Sequence, residues 1–126
     1  MAQGAGRVGN RVDMKLKEIV EKLQLTVKTG AGLLDREVKG GYVSDLMSDV
    51  MANAGEGSLW ITLQIHQNIV AVAVMKSLAG IILINSRAPE PETLQKGEEE
   101  GIPIMVTDMP AFELAGRLFA LGISGG

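Results

Sequence analysis

The chain has 126 residues, 46% of them hydrophobic, a formal net charge of −3 and no cysteine. That length suits one domain with a core of its own, and the lack of cysteine excludes disulfides, thiolate metal sites and cysteine nucleophiles. The basic residues are scattered among a larger number of acidic ones, which argues against a nucleic-acid surface, where Lys and Arg cluster against phosphates.

Only Trp60, Tyr42, Phe112 and Phe119 are aromatic, so the core is expected to be aliphatic and methionine-based. No apolar run approaches the ~20 residues that span a bilayer, and no secretory signal is visible. The expectation is a soluble cytoplasmic protein that uses neither membrane nor nucleic acid.

Residues 1–13 hold three glycines and no periodicity; they read as a disordered leader, native or appended, ahead of a single domain over residues 14–123. From Met14 the pattern changes. Leu16, Ile19, Val20 and Leu23 recur at helical spacing, with lysines and glutamates opposite. Leu25 to Lys28 alternates as a first strand, closed by Thr29-Gly30-Ala31-Gly32. Val38 to Val43 reads as a short second strand weakened by its glycine pair. Ser44 or Asp45 is placed to cap a helix from Leu46 to Ala54, whose apolar stripe is Leu46, Met47, Val50 and Met51. After the turn Gly55-Glu56-Gly57, Leu59 to Leu63 reads as a buried strand.

Asn68 to Leu78 is long enough for three helical turns, with Gly80 placed to end them. Ile81 to Ile84 is a second buried strand without alternation, so both its faces are covered. Two strands joined by such a helix are parallel, and a right-handed crossover is expected. Pro91 suits the first turn of a polar helix from Glu92 to Glu100 that ends at Gly101. Ile102 to Val106 is the last strand, with its proline at the tolerated beginning. Thr107 to Pro110 caps a last helix, Ala111 to Leu121, carrying Phe112, Leu114, Ala115, Leu118 and Phe119. Strands and helices alternate throughout, which predicts a three-layer α/β/α fold around a small, largely parallel sheet of about five strands.

Such sheets bind ligands beyond the carboxyl ends of their strands. Those ends carry Lys28-Thr29-Gly30, Ser44-Asp45, Gln64 to Asn68, Asn85-Ser86-Arg87 and Thr107-Asp108. The set offers donors, two cations and helix N-termini suited to an anion; plain helix capping accounts for the same residue types. His66 is the single histidine, with no carboxylate near it in sequence and no ligand spacing around it, so neither metal nor acid–base chemistry is expected there. The glycine pairs do not open a phosphate-binding loop, and Glu98 to Glu100 reads as a solvated helix end. Asp35-Arg36 fits an ion pair or a ligand clamp. With no nucleophile–base pair in view, the chain reads as non-catalytic, with no cofactor and no metal.

Thr29-Gly30, Asp35 to Val38, Gly40, Val43 to Met47, Trp60 to Thr62, Asn68-Ile69, Ala71 to Ala73 and Gly101 to Pro103 together resemble a DRTGG domain. That is a small α/β module found beside CBS domains and related in fold to the N-terminal domain of HPr kinase/phosphorylase. The likeness spans roughly residues 25–121; Glu37 stands where the naming motif has threonine, and Gly40-Gly41 lies further on. The resemblance implies a regulatory or ligand-sensing module that associates with itself or with a protein partner. Without a phosphate-binding loop there is nothing to hold β- and γ-phosphates, so kinase activity is not implied. The expected function is thus a free-standing, homodimeric regulatory domain. The alternative is a sensor binding an adenine nucleotide or other anion near Thr29, Gly30, Asp35, Arg36, Thr62, His66, Asn68, Asn85, Arg87 and Thr107.

Overall fold

The computed structural model describes residues 14–125; the reading of 1–13 as a leader lies outside them. The elements in chain order are β1 (Met14–Lys15), α1 (Leu16–Leu23), β2 (Thr26–Thr29), a 3-10 turn (Ala31–Leu33), β3 (Glu37–Val38), β4 (Gly40–Val43), α2 (Met47–Asn53), β5 (Ser58–Thr62), α3 (Asn68–Met75), β6 (Gly80–Leu83), α4 (Pro91–Glu100), β7 (Ile104–Val106) and α5 (Ala111–Ala120).

Five strands form one sheet in the order β2-β7-β6-β5-β4. β4 to β7 are parallel, and β2 joins β7 antiparallel at the far edge. The expected mostly parallel sheet is therefore present. The alternation of the buried strands sorts the core into two halves. Leu59, Ile61, Ile82 and Met105 point to one face, where they meet Leu16 and Ile19 of α1 and Leu114 and Leu118 of α5. Trp60, Ile81, Leu83 and Ile104 point to the other, against α2 and α3. α4 lies beside α3 on this second face. These are the three layers.

The structure corrects several local expectations. Residues 38–43 are not one strand. Glu37–Val38 pairs antiparallel with Met14–Lys15 in a separate two-stranded ladder, and only Gly40–Val43 enters the main sheet. Gly80 does not end α3. The helix stops at Met75, the chain turns at Ser77 with φ +53°, and Gly80 opens β6. A Cβ at Gly80 would lie 3.0 Å from the Pro103 carbonyl oxygen, so close approach of the neighbouring strand, not helix capping, places this glycine.

Neither Ser44 nor Asp45 caps α2, whose N-cap is Leu46 without a side-chain bond. Asp45 is turned away to accept from Thr62 Oγ1 (2.8 Å) and from the Leu63 N–H (2.7 Å). α5 likewise starts at Pro110 without a side-chain cap, because Asp108 is taken by Ser86. Pro91 and Gly101 do bound α4 as the sequence suggests, Gly101 in the left-handed region at φ +70°.

Candidate functional site

The residues singled out in the sequence fall into three places. Thr29, Gly30, Asp35 and Arg36 lie at the amino edge of the parallel strands. β2 runs antiparallel, so its last residue, Thr29, pairs with Ile104, the first residue of β7. This corrects their placement at the carboxyl edge, because period-two alternation is blind to strand direction. Thr29 is buried; its hydroxyl donates to the Ile102 carbonyl (2.7 Å) and accepts from the Ile104 N–H (3.0 Å). Gly30, at φ +74°, packs on Pro103, where a Cβ would come within 2.8 Å of the backbone. Arg36 spans the Ala79 and Gly101 carbonyls at 3.3 and 3.4 Å, a cation at the C-terminal end of α4. Its acidic neighbour Asp35 pairs with Lys17 at 3.4 Å in solvent. Asp35 and Arg36 thus do not form an ion pair with each other.

Thr62, His66 and Asn68 follow the end of β5. The Thr62 hydroxyl, besides donating to Asp45, accepts from the Gln64 N–H at 3.1 Å, which fixes the loop. His66 Nδ1 lies 3.0 Å from Glu90 Oε2, a carboxylate far away in sequence, with both side chains open to water. The Ile65 carbonyl accepts from the Thr93 hydroxyl (2.6 Å) and from the Glu90 N–H (3.2 Å), so this loop is pinned to the start of α4. Asn68 is exposed in the first turn of α3. Thr62 and the Ile65 carbonyl thus anchor this loop.

Asn85, Arg87 and Thr107 belong to the third place. The chain leaves β6 toward α4 on one face and leaves β7 toward α5 on the other. Adjacent strands whose outgoing connections part in this way open a crevice between them. A cleft of about 470 Å³ lies there, lined by Ser86, Arg87, Thr107 and Asp108 from the two loops, Lys28 and Thr26 from β2, and Glu113 and Arg117 from α5. Leu23, Val106 and Met109 supply its apolar wall.

The rim is shaped by an unusual turn. Asn85 and Ser86 both sit in the left-handed region, φ 55° and 59°, and the Arg87 N–H closes the turn on the Ile84 carbonyl at 3.1 Å. Two successive left-handed residues mark a type I′ turn, where asparagine is tolerated but serine costs energy. Strain of this kind persists where surrounding bonds enforce it, and here the Asn85 and Ser86 N–H groups donate to the Met109 and Thr107 carbonyls. The turn is thereby clamped to the β7 loop and holds Arg87 at the cleft.

The charges in the cleft are unevenly used. Arg117 is tied to Glu113 at 3.1 Å. Ser86 Oγ donates to Asp108 at 2.6 Å. Lys28 and Arg87 have no ion-pair partner among the described residues, so two cations face a cavity without a counter-charge of their own. Among those residues no group of three or more His, Asp or Glu is placed to hold a metal ion, and no helix is long and apolar enough to cross a membrane. The sequence marked Lys28, Ser86 and Asp108 as strand-end residues, but α5's Glu113 and Arg117 carried no signal, because only the packing of that helix brings them to the site.

No protein-family profile and no curated protein matches the chain. Among solved structures, it is similar to the CBS and DRTGG domains of the regulatory region of a Clostridium perfringens pyrophosphatase, crystallised with its activator diadenosine tetraphosphate. The TM-score is 0.66 at 17% identity, over 87% of this chain and 47% of that one. The chain therefore spans about half the length of that structure. At that identity the likeness is one of fold, and it agrees with the α/β/α architecture.

Proposed function

We propose that this chain is a regulatory domain of DRTGG type that senses a small anionic ligand in the cleft at the carboxyl edge of β6 and β7. The observation that carries the reading is the pair of cations, Lys28 and Arg87, that have no ion-pair partner among the described residues and line one cavity. The similar pyrophosphatase region, which carries a nucleotide activator, supports a regulatory role for the fold. The reading is non-catalytic.

The test is thermal unfolding against a panel of phosphate-bearing compounds, adenine nucleotides included. A site filled to ~100 times its dissociation constant stabilises the fold by ~2.7 kcal/mol, several degrees in Tm for a domain of this size. We expect at least one compound to give such a shift and Lys28→Ser with Arg87→Ser to remove it. A flat panel, or a shift unchanged in the double variant, overturns the reading.

A second reading, that the domain is a homodimer, is favoured by one surface. Phe112 is 93% exposed and Phe119 70%, both on the outer side of α5, and Phe119 lies by a half-exposed Val43 at the end of β4, the sheet's last strand. A small apolar groove between Val43, Ile61, Ala115 and Phe119 joins strand edge to helix. Aromatic side chains held in water at such a groove are the ordinary content of an interface core. The expected mass in sedimentation equilibrium is twice 13.3 kDa, falling to the single mass in Phe112→Ser/Phe119→Ser. A wild-type monomer at several hundred micromolar defeats this reading.

A further inference from the structure

We infer that the cleft is built for a small phosphorylated polyol or sugar in preference to a nucleoside polyphosphate, an inference that rests on the anion-sensing reading above. Three features of the cavity lead there. The first is its charge. Lys28, Arg87 and Arg117 stand against Asp108 and Glu113, and Arg117 is already neutralised by Glu113 at 3.1 Å. The surplus of one positive charge offsets the larger part of one phosphate monoester, which carries about −1.5 to −2, and a much smaller part of a triphosphate. A triphosphate would press further negative charge against Asp108 and Glu113, and like-charge juxtaposition of this kind rejects a ligand.

The second feature is the hydrogen-bonding inventory. Ser86 Oγ gives its proton to Asp108 Oδ1, so its lone pairs and the second oxygen of Asp108 are left to accept. Thr107 Oγ1 accepts from the Met109 N–H at 3.2 Å, which leaves its own proton free to donate. Accepting and donating oxygens side by side are complementary to vicinal hydroxyls, which both give and take hydrogen bonds.

The third feature is the lining. Among the described residues no aromatic side chain borders the cleft, and its apolar wall is aliphatic, made by Leu23, Ala88, Val106 and Met109. A purine ring commonly rests against an aromatic or guanidinium plane. The one guanidinium without a partner here, that of Arg87, is needed for the phosphate. The phosphate thus sits between Lys28 and Arg87, and the hydroxyls face Ser86, Thr107 and Asp108.

Isothermal titration calorimetry with ribose 5-phosphate, glycerol 3-phosphate, free ribose, ADP and ATP separates the alternatives. We expect a phosphorylated sugar or polyol to bind about tenfold or more tightly than ATP, and free ribose not to bind. Asp108→Asn keeps an acceptor for Ser86 but loses the charge. It should weaken the sugar phosphate by about tenfold, as loss of a hydrogen bond to a charged group does, while leaving ATP unchanged or tighter. If ADP or ATP binds more tightly than every sugar or polyol phosphate, and Lys28→Ser removes that binding, this inference is overturned while the anion sensor stands. If no phosphate compound binds, both fall together. Equal effects of Asp108→Asn on all ligands would also overturn the hydroxyl assignment.

Discussion

Trp60→Ala is expected to destabilise the domain by about 3–5 kcal/mol, the range for removing a buried aromatic. Trp60 is fully buried, the largest side chain of the core, and faces Val50, Ile69, Ala73 and Ile81 between the sheet and α2–α3. It is also a hydrogen-bond donor, giving its indole N–H to the Ser44 carbonyl at 2.8 Å just past the end of β4. Truncation therefore opens a cavity and strips a partner from the segment that leads into α2. A domain of this size loses roughly 4–5 °C in Tm per kcal/mol, so the melting curve should fall by roughly 12–25 °C. Trp60→Phe keeps most of the volume but not the bond, and should lie between. A loss under 1 kcal/mol for the alanine variant would mean that the second half of the core relaxes around the gap.

Thr29→Val should cost about 2–4 kcal/mol although it changes almost no volume. The Thr29 hydroxyl is the shared partner of the Ile102 carbonyl and the Ile104 N–H, and each buried group left unpaired costs roughly 1–3 kcal/mol. Water cannot reach in to compensate: Thr29 is 1% exposed, and Gly97 of α4 packs so closely over it that a Cβ there would stand 3.0 Å from the hydroxyl. Thr29→Ser retains both bonds and should cost less than half as much. Chemical denaturation of the three proteins checks the ordering. Equal stability of the valine and wild-type proteins would show that the hydroxyl bridge is not made. A ligand-binding Thr29 predicts the reverse pattern, with stability kept and ligand response lost.

The legible part of this molecule was its rhythm. Ile81 to Ile84 without alternation, Leu59 to Leu63 bounded by glycine, and Pro91 and Gly101 around a polar helix were all readable, because burial and backbone conformation leave a local trace. Direction left none. Leu25 to Lys28 looks alike whether it runs with β7 or against it, and that single choice moves Thr29, Gly30, Asp35 and Arg36 to the opposite edge from Arg87. Partners distant in sequence were equally silent. Nothing near His66 announces Glu90, and nothing in the Glu113–Arg117 helix turn announces Lys28 across the cleft. The sequence groups Phe112 and Phe119 with the apolar members of one helix; the structure divides them into a buried Leu114–Leu118 side and an outward phenylalanine side. The site was thus half visible, as a set of strand ends without the knowledge of which ends meet.

The strand order carries a consequence for how the chain acquires its shape. β4 to β7 are laid down side by side in sequence, each new strand docking on the one just made after a short helical excursion. β2 precedes them all yet must wait for the last of them, since Thr26 finds its place only opposite Val106. Closing that loop encompasses nearly the whole domain, and contacts of such separation slow the search for the native state. On a ribosome β2 has no partner strand until β7, the last of them, has emerged. Until then it is an unpaired edge in an incomplete sheet, the kind of surface on which aggregation begins.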